Sequence, residues 1–329
     1  MQVAQLLFLT GVSAVSLLPR QDSTAGCTSP VKRVEFRTLD AATRKQYTDA
    51  VVCLTTKPST IGLKTSLYDD FTYVHTHLND KTDPLRIHKV HYVASFLPWH
   101  RYFTHIYEKQ LNACGYKGPM VYWDWTLDSA DAAASDFWDP VNGVGGNGGD
   151  KVETTSDGRS WNCLVDGPFK DIRPAYSKIE YNPHCLSRDF YDGVARPGTL
   201  RASGYTPAVI NEMNALPDFK QFEFRLENIP HGSIHSGVGG QRGDLGPSSS
   251  PNDPIFFMHH AQVDRLWALW QQADPEARSK DYAGIRGAPG REQNPPAALT
   301  DLMPFMGLAD DIPVSAVMTT QNSLLCYTY

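Results

Sequence analysis

The side chain with the most chemical potential in this chain is imidazole. There are eleven histidines, and most fall in two short blocks. The first holds His75 and His77, then His88 and His91, then Phe96-Leu97-Pro98-Trp99-His100-Arg101. The second runs from Glu227 through Pro230-His231-Gly232-Ser233-Ile234-His235. It resumes at Asn252-Asp253-Pro254-Ile255-Phe256-Phe257-Met258-His259-His260 and continues to Asp264-Arg265-Leu266-Trp267. Neutral imidazole is a ligand for copper, zinc, iron and nickel. Neither block contains a cysteine, so a thiolate blue-copper site does not fit. The Glu-x-x-His pattern of di-iron carboxylate helices is absent too. Three histidines alone would hold a catalytic zinc, but two all-imidazole sets on helices point to a pair of copper ions.

Helices must bring these rings together. His231 and His235 are four residues apart, which places them on one face of a helix about one turn from each other. His91 and His100 are too far apart in sequence for one turn, so a loop has to join them. His259 and His260 are adjacent and point about 100° apart on a helix, so only one faces a given metal. Spacing alone leaves that choice open. Apolar periodicity predicts helices over residues 40–54, 66–78 and 97–113, with Pro98 tolerated in a first turn and Gly115 ending the last. His75 follows Phe71 and Val74 on the apolar face, whereas His77 is turned about 200° away. The 118–125 segment reads as extended. Residues 129–167, rich in Asp, Gly, Ser and Ala, read as a long loop. Further helices are expected at 206–215, 218–226, 230–236 and 254–272, and strands at 314–319 and 324–329. Nothing repeats internally.

The bulk numbers exclude some partners. A formal charge of −6 gives no basic footprint for nucleic acid. No apolar run reaches the ~18 residues of a membrane span. Residues 1–18, with an apolar stretch from Leu6 to Leu18 and small residues near its end, read as a signal peptide, against the alternative of a buried N-terminal helix. Six cysteines, none in a CxxC pair, allow three disulfides and fit secretion. Cys163 with Cys185 would staple one loop, and Cys27 with Cys326 would tie the ends together.

These motifs carry a resemblance. Phe-Leu-Pro-Trp-His-Arg at 96–101 and Asn-Asp-Pro-Ile-Phe-Phe-Met-His-His-Ala-Gln-Val-Asp-Arg-Leu-Trp at 252–267 resemble the two copper motifs of the type-3 copper proteins: tyrosinases, catechol oxidases and hemocyanins. Tyr122-Trp123-Asp124-Trp125 and the ending Cys326-Tyr327-Thr328-Tyr329 extend the match, most of all to short secreted fungal polyphenol oxidases. The resemblance implies a mainly α fold: a central helical bundle holding a dinuclear copper site, with long loops and a few short strands. It also implies a single domain over 19–329 without a C-terminal shielding domain. By position, His75, His91 and His100 would hold one copper ion and His231, His235 and His260 the other. His88 reads as a loop histidine, and His105 and His184 as structural or exposed. Neither Asn79 nor Lys89 is the cysteine that some relatives bond to a histidine, so no thioether is expected.

The implied activity is oxidation of small phenols by dioxygen, o-diphenols giving o-quinones. Glu227, four residues before His231, sits where such enzymes place a carboxylate that holds a water; as a plain surface residue it would start a helix. Asp264 and Asn252 would orient ligand imidazoles. Arg101 and Glu108 read as structural. Hydroxylating monophenols needs a base for the phenol proton, and tyrosinases help it with an asparagine after the first ligand of the second site. Here that position is Gly232, and Ser236 follows His235. The expectation is catechol oxidation with weak monophenol hydroxylation. The alternatives are a true tyrosinase or a hemocyanin-like dioxygen carrier.

Overall fold

The computed structural model describes residues 26–79, 90–191, 199–287 and 295–329. The leader-like residues 1–18 and His88 lie outside them. Helices do most of the positioning. Helix α1, Ala41–Leu54, starts where the Asp40 carboxylate accepts the Thr43 N–H. Helix α2, Leu67–Leu78, starts at a reciprocal cap between Ser66 and Asp69, which satisfies donors that a bare helix end would leave open. Its Phe71, Val74, His75 and Leu78 are all buried, as the periodicity requires. Helix α3, Phe96–Ala113, carries Pro98 in its first turn, where no N–H is needed. It ends at Gly115, whose φ of +98° suits a residue without Cβ.

Helices α4, Pro207–Asn214, and α5, Phe219–Leu226, are capped by Thr206 and Asp218. Between α5 and α6, Gly232–Gly239, the backbone widens into a π turn over Glu227–His231. Pro230 lies inside it. Proline has no N–H and crowds the carbonyl four residues back, so the helix yields a wider turn in place of a break. Helix α7, Ile255–Gln272, is almost entirely buried. It packs on α3 and α2: Phe257 lies flat on Tyr107 with ring centres 3.5 Å apart, and meets Phe71 edge-on at 5.4 Å.

Strands are short and paired in twos. β1, Val31–Lys32, runs parallel to Tyr327–Thr328, and β2, Val34–Glu35, runs parallel to β3, Val121–Tyr122. Two expectations are corrected. The 129–167 segment is more than loop: β4, Gly148–Thr154, and β5, Ser160–Leu164, form an antiparallel hairpin inside it. Its Gly148 lies against the Arg188 and Asn162 carbonyls, and composition alone hides that. The expected strand at 314–319 is instead a 3₁₀ turn, Val314–Val317, whose Val314 and Val317 are buried on one side. A second hairpin, β6 Tyr176–Ser177 and β7 Glu180–Tyr181, has no counterpart in the sequence reading.

The disulfides are Cys27–Cys326, Cys163–Cys185 and Cys53–Cys114. The first two are the expected pairs; the third ties α1 to the end of α3. Among the described residues no helix is long and apolar enough to cross a membrane.

Candidate metal centre

Helix α2 delivers His75, the segment before α3 delivers His91, and the first turns of α3 deliver His100. The π turn and α6 deliver His231 and His235, and α7 delivers His259 and His260. Candidate ligand atoms of His75, His91 and His100 all lie within 4.8 Å of one another, and so do those of His231, His235, His259 and His260. The two groups share a wall. The His100 ring stacks on the His260 ring with centres 4.2 Å apart and planes 10° apart. Phe256 lies 4.2 Å from the His260 ring and 5.1 Å from His75. His77 belongs to neither group: it stacks on Tyr73 at 3.8 Å.

The tautomers follow from the hydrogen bonds. Four rings donate Nδ1–H to backbone carbonyls: His75 to Ser248 at 2.6 Å, His100 to Phe96 at 2.8 Å, His231 to Glu227 at 2.9 Å and His235 to Leu245 at 2.6 Å. A neutral imidazole has one proton, so the lone pair of each is left on Nε2. All four of those Nε2 atoms are buried without a hydrogen-bond partner among the described residues. His259 differs. Its Nδ1 accepts from the Trp125 indole N–H at 3.2 Å. Its proton must then sit on Nε2, which leaves no lone pair for a metal. His260 has neither nitrogen partnered. Burial, reinforced by neighbouring imidazoles, holds the rings neutral: His75 is pushed down to about 3 and His235 to about 4, and His91, His100, His231 and His260 fall well below the usual value. Buried neutral nitrogens without partners are costly unless something binds them, and soft-to-borderline metal ions are what such a donor set fits.

A cleft of about 860 Å³ opens over both groups. His75, His91, His231 and His235 form its floor, with Glu227, Gly232 and Ser236 beside them; Ser248 and the Lys178–Ile179 tip of the second hairpin lie at its edge. Glu227 is buried, and the Tyr92 backbone N–H donates to both its oxygens at 2.8 and 3.0 Å. Burial pushes its carboxyl up to about 7, against the pull of the Tyr92 N–H and of Glu223. Glu223, one turn earlier on α5, is pushed up further by burial and by the Glu227 charge.

The common central domain of tyrosinase matches residues 65–273. The chain belongs to the tyrosinase family. It is 40% identical over 319 residues to a tyrosinase-like protein of Diaporthe leptostromiformis, phomQ1, covering 92% of this chain and 78% of that one. It is 37% identical over 331 residues to the tyrosinase ustQ of Aspergillus flavus, covering 98% and 87%. Among solved structures it is similar to a glycine-to-asparagine variant of polyphenol oxidase from Thermothelomyces thermophila, at 29% identity and a TM-score of 0.76, covering 92% and 90%. The chain is therefore an oxidoreductase of a family with a dinuclear type-3 copper centre, and the two histidine groups are clusters that could hold the metal.

Within this tyrosinase-family site some expectations change. Asp264 and Asn252 hold no imidazole. Asp264 takes bonds from Arg101, Arg33, Tyr327 and Tyr329, and Asn252 donates to Tyr176 and Asp244. Backbone carbonyls do the orienting instead, and no side-chain pattern announces a carbonyl. Arg101 and Glu108 are structural, as expected, but through Asp264 and Arg33 rather than each other. Glu227 is buried where α5 runs on into the π turn, so it is not the surface residue of a free helix start. Ser236 lines the cleft with its hydroxyl donating to the Gly232 carbonyl at 2.7 Å. Sequence reading missed Tyr92, Glu223 and Trp125. Only Glu223 left a signal there, one turn before Glu227 on the same helix face.

Proposed function

We propose that this chain is a phenol oxidase that converts o-diphenols to o-quinones with dioxygen and hydroxylates monophenols weakly. His75, His91 and His100 would hold one copper ion, and His231, His235 and His260 the other. Six neutral nitrogens and the Trp125-fixed tautomer of His259 support that division. Copper bound there supplies the electron exchange between phenol and dioxygen. The rest is done by the chain itself. The buried floor excludes water on one side, and the fixed rings spare reorganisation. Glu227 faces the cleft as the group that takes the phenol proton, with a carboxyl near its titration point at neutral pH. Residues around Ser248 and the Lys178–Ile179 tip frame the substrate. The cleft volume is in the upper part of the range for drug-sized ligands, so a phenol borne on a larger molecule also fits. Three disulfides suit an oxidising compartment and, with the leader-like start, support secretion.

The preference for diphenols rests on Gly232. A Cβ there would meet only the Glu227 carbonyl at 3.5 Å, so open space stands where an amide would help the carboxylate. The test is turnover by copper-loaded protein on a monophenol and its matching catechol. The catechol should be faster by about a hundredfold, the scale of one acid–base contribution. Equal turnover would show a true tyrosinase instead.

A further inference from the structure

We propose that His184, remote from both histidine groups, is a positioning residue for both copper sites, acting through the loop that joins α6 to α7. The proposal rests on the ligand assignment above. The loop carries two of the carbonyls that orient ligands, one for each site. Leu245 receives the His235 Nδ1–H at 2.6 Å. Ser248 receives the His75 Nδ1–H at 2.6 Å and the Thr76 hydroxyl at 3.1 Å. A carbonyl orients a ring only if it is itself held.

What holds it is Asp244, the residue before Leu245. Its carboxylate is fully buried and accepts from Ser187 N–H at 2.9 Å, Asn252 Nδ2 at 2.9 Å and His184 Nε2 at 3.0 Å. The other nitrogen of His184 faces the Asn182 carbonyl at 2.6 Å, and the ring lies flat on Trp161 with centres 3.7 Å apart. Both ring nitrogens face acceptors, so both carry protons and the ring is a cation. A buried cation thus meets a buried carboxylate, both without exposure. Such a pair costs heavily when only one partner is removed. Burial alone would push the His184 proton off, but the Asp244 charge and hydrogen bond, the Asn182 carbonyl and the Glu153 charge outweigh it, and its titration point rises. The charged groups facing the ring are Asp244 from the loop and Glu153 from β4; Glu153 is itself paired with Arg173. His184 is anchored in turn. Its neighbour Cys185 is bonded to Cys163 on β5, the strand that carries Trp161. The stapled hairpin is the floor, His184 the peg, and the loop the arm that reaches two rings in different sites.

The test is copper affinity, read by competition against a chelator, in the wild-type protein and in His184→Gln, which keeps much of the volume and cannot be a cation. Loss of an outer partner of a metal ligand weakens binding by about 10–100-fold, and here both sites should weaken together. Wild-type protein binding fewer than two copper ions per chain would overturn the ligand assignment itself. Two ions in the wild type and unchanged affinity in the variant would overturn the role of His184, whatever its melting temperature does. A second measurement needs no variant. Copper release from wild-type protein into saturating chelator is followed from neutral to alkaline pH. The ligand imidazoles are already neutral there, so their own titration gives no acceleration. A raised titration point means that the His184–Asp244 pair is intact below it and lost as pH rises through it. Release should therefore speed up with pH, and the rise should vanish in His184→Gln. Release that stays flat or slows in the wild type would overturn the proposal.

Discussion

Two polar clusters are buried side by side on α3 and α7, and they are built on opposite rules. His100 and His260 belong to the first; Arg101 and Asp264, the next residue on α3 and one turn further on α7, belong to the second. The second cluster meets its charges. Asp264 takes the Arg101 Nε–H at 2.5 Å, Arg33 at 3.3 Å and the hydroxyls of Tyr327 and Tyr329 at 2.5 Å. The Arg101 guanidinium also lies 3.6 Å over the Trp267 ring, and Arg33 lies 3.5 Å over Tyr327. The first cluster keeps its rings neutral and leaves their inward nitrogens open. The difference separates what holds the fold from what waits for a ligand. Where every charge has its opposite, the cluster is complete within the chain; where neutral lone pairs converge without a partner in the chain, a bound metal would complete it.

That contrast can be broken most forcefully at Asp264. Asp264→Ala strands the buried Arg101 guanidinium and leaves Arg33 only Glu108, and should cost about 3–5 kcal/mol of stability in the copper-free protein, read by urea unfolding. The equivalent cut in the other cluster, His260→Phe, keeps a ring in place and should cost about 1 kcal/mol or less, because it also removes unpartnered buried nitrogens, while abolishing copper at the second site. Similar losses from both would erase the distinction. Acid should divide the clusters next. The ligand imidazoles bind protons more weakly folded than unfolded. Their contribution is full above the unfolded value of about 6.5 and is lost as pH falls toward about 4 for His235 and about 3 for His75. Asp264 is held below the ordinary carboxylate range by Arg101 and Arg33 against burial, so its share is lost only at lower pH. Melting temperature against pH for copper-free protein should fall first through the histidine window. Copper loading should raise the melting temperature above that limb yet leave it at least as steep, because copper keeps the folded rings unprotonated while the unfolded ones still take protons.

Smaller changes sharpen the picture at the rim. Gly232→Asn places an amide in open space, so stability should shift by less than ~1 kcal/mol, while the monophenol rate rises about tenfold or more relative to catechol. No rise would remove Gly232 from the explanation. Trp125→Phe deletes one buried hydrogen bond, worth about 1 kcal/mol, and should leave copper content unchanged. A drop to one ion per chain would move the ligand role from His260 to His259.

How much of this the sequence carried depends on the kind of interaction. Helices α2, α3 and α7 were legible because their apolar faces repeat at helical period, and the same period separated His75 from His77. His231 and His235 were legible from their spacing. The choice between His259 and His260 was open on spacing, because it turns on which nitrogen carries a proton, and that depends on an indole 134 positions away in sequence. Asp264 was misread for a related reason: its partners come from β2's neighbour Arg33 and from the last residues of the chain, and local pattern holds no trace of them. The β4–β5 hairpin hid behind a glycine-rich composition that reads as loop, although Gly148 there lies against opposing backbone.

The bond between Cys27 and Cys326 spans 299 positions. It turns nearly the whole described chain into a closed covalent ring. A protease that cuts any exposed loop between those cysteines opens the ring without releasing a fragment. Nicked and intact molecules therefore keep the same mass apart from one added water, and only reduction separates the pieces. Damage at the rim of the cleft would leave the copper-bearing helices tethered at their original neighbours' effective concentration, so a clipped molecule can stay assembled around its site.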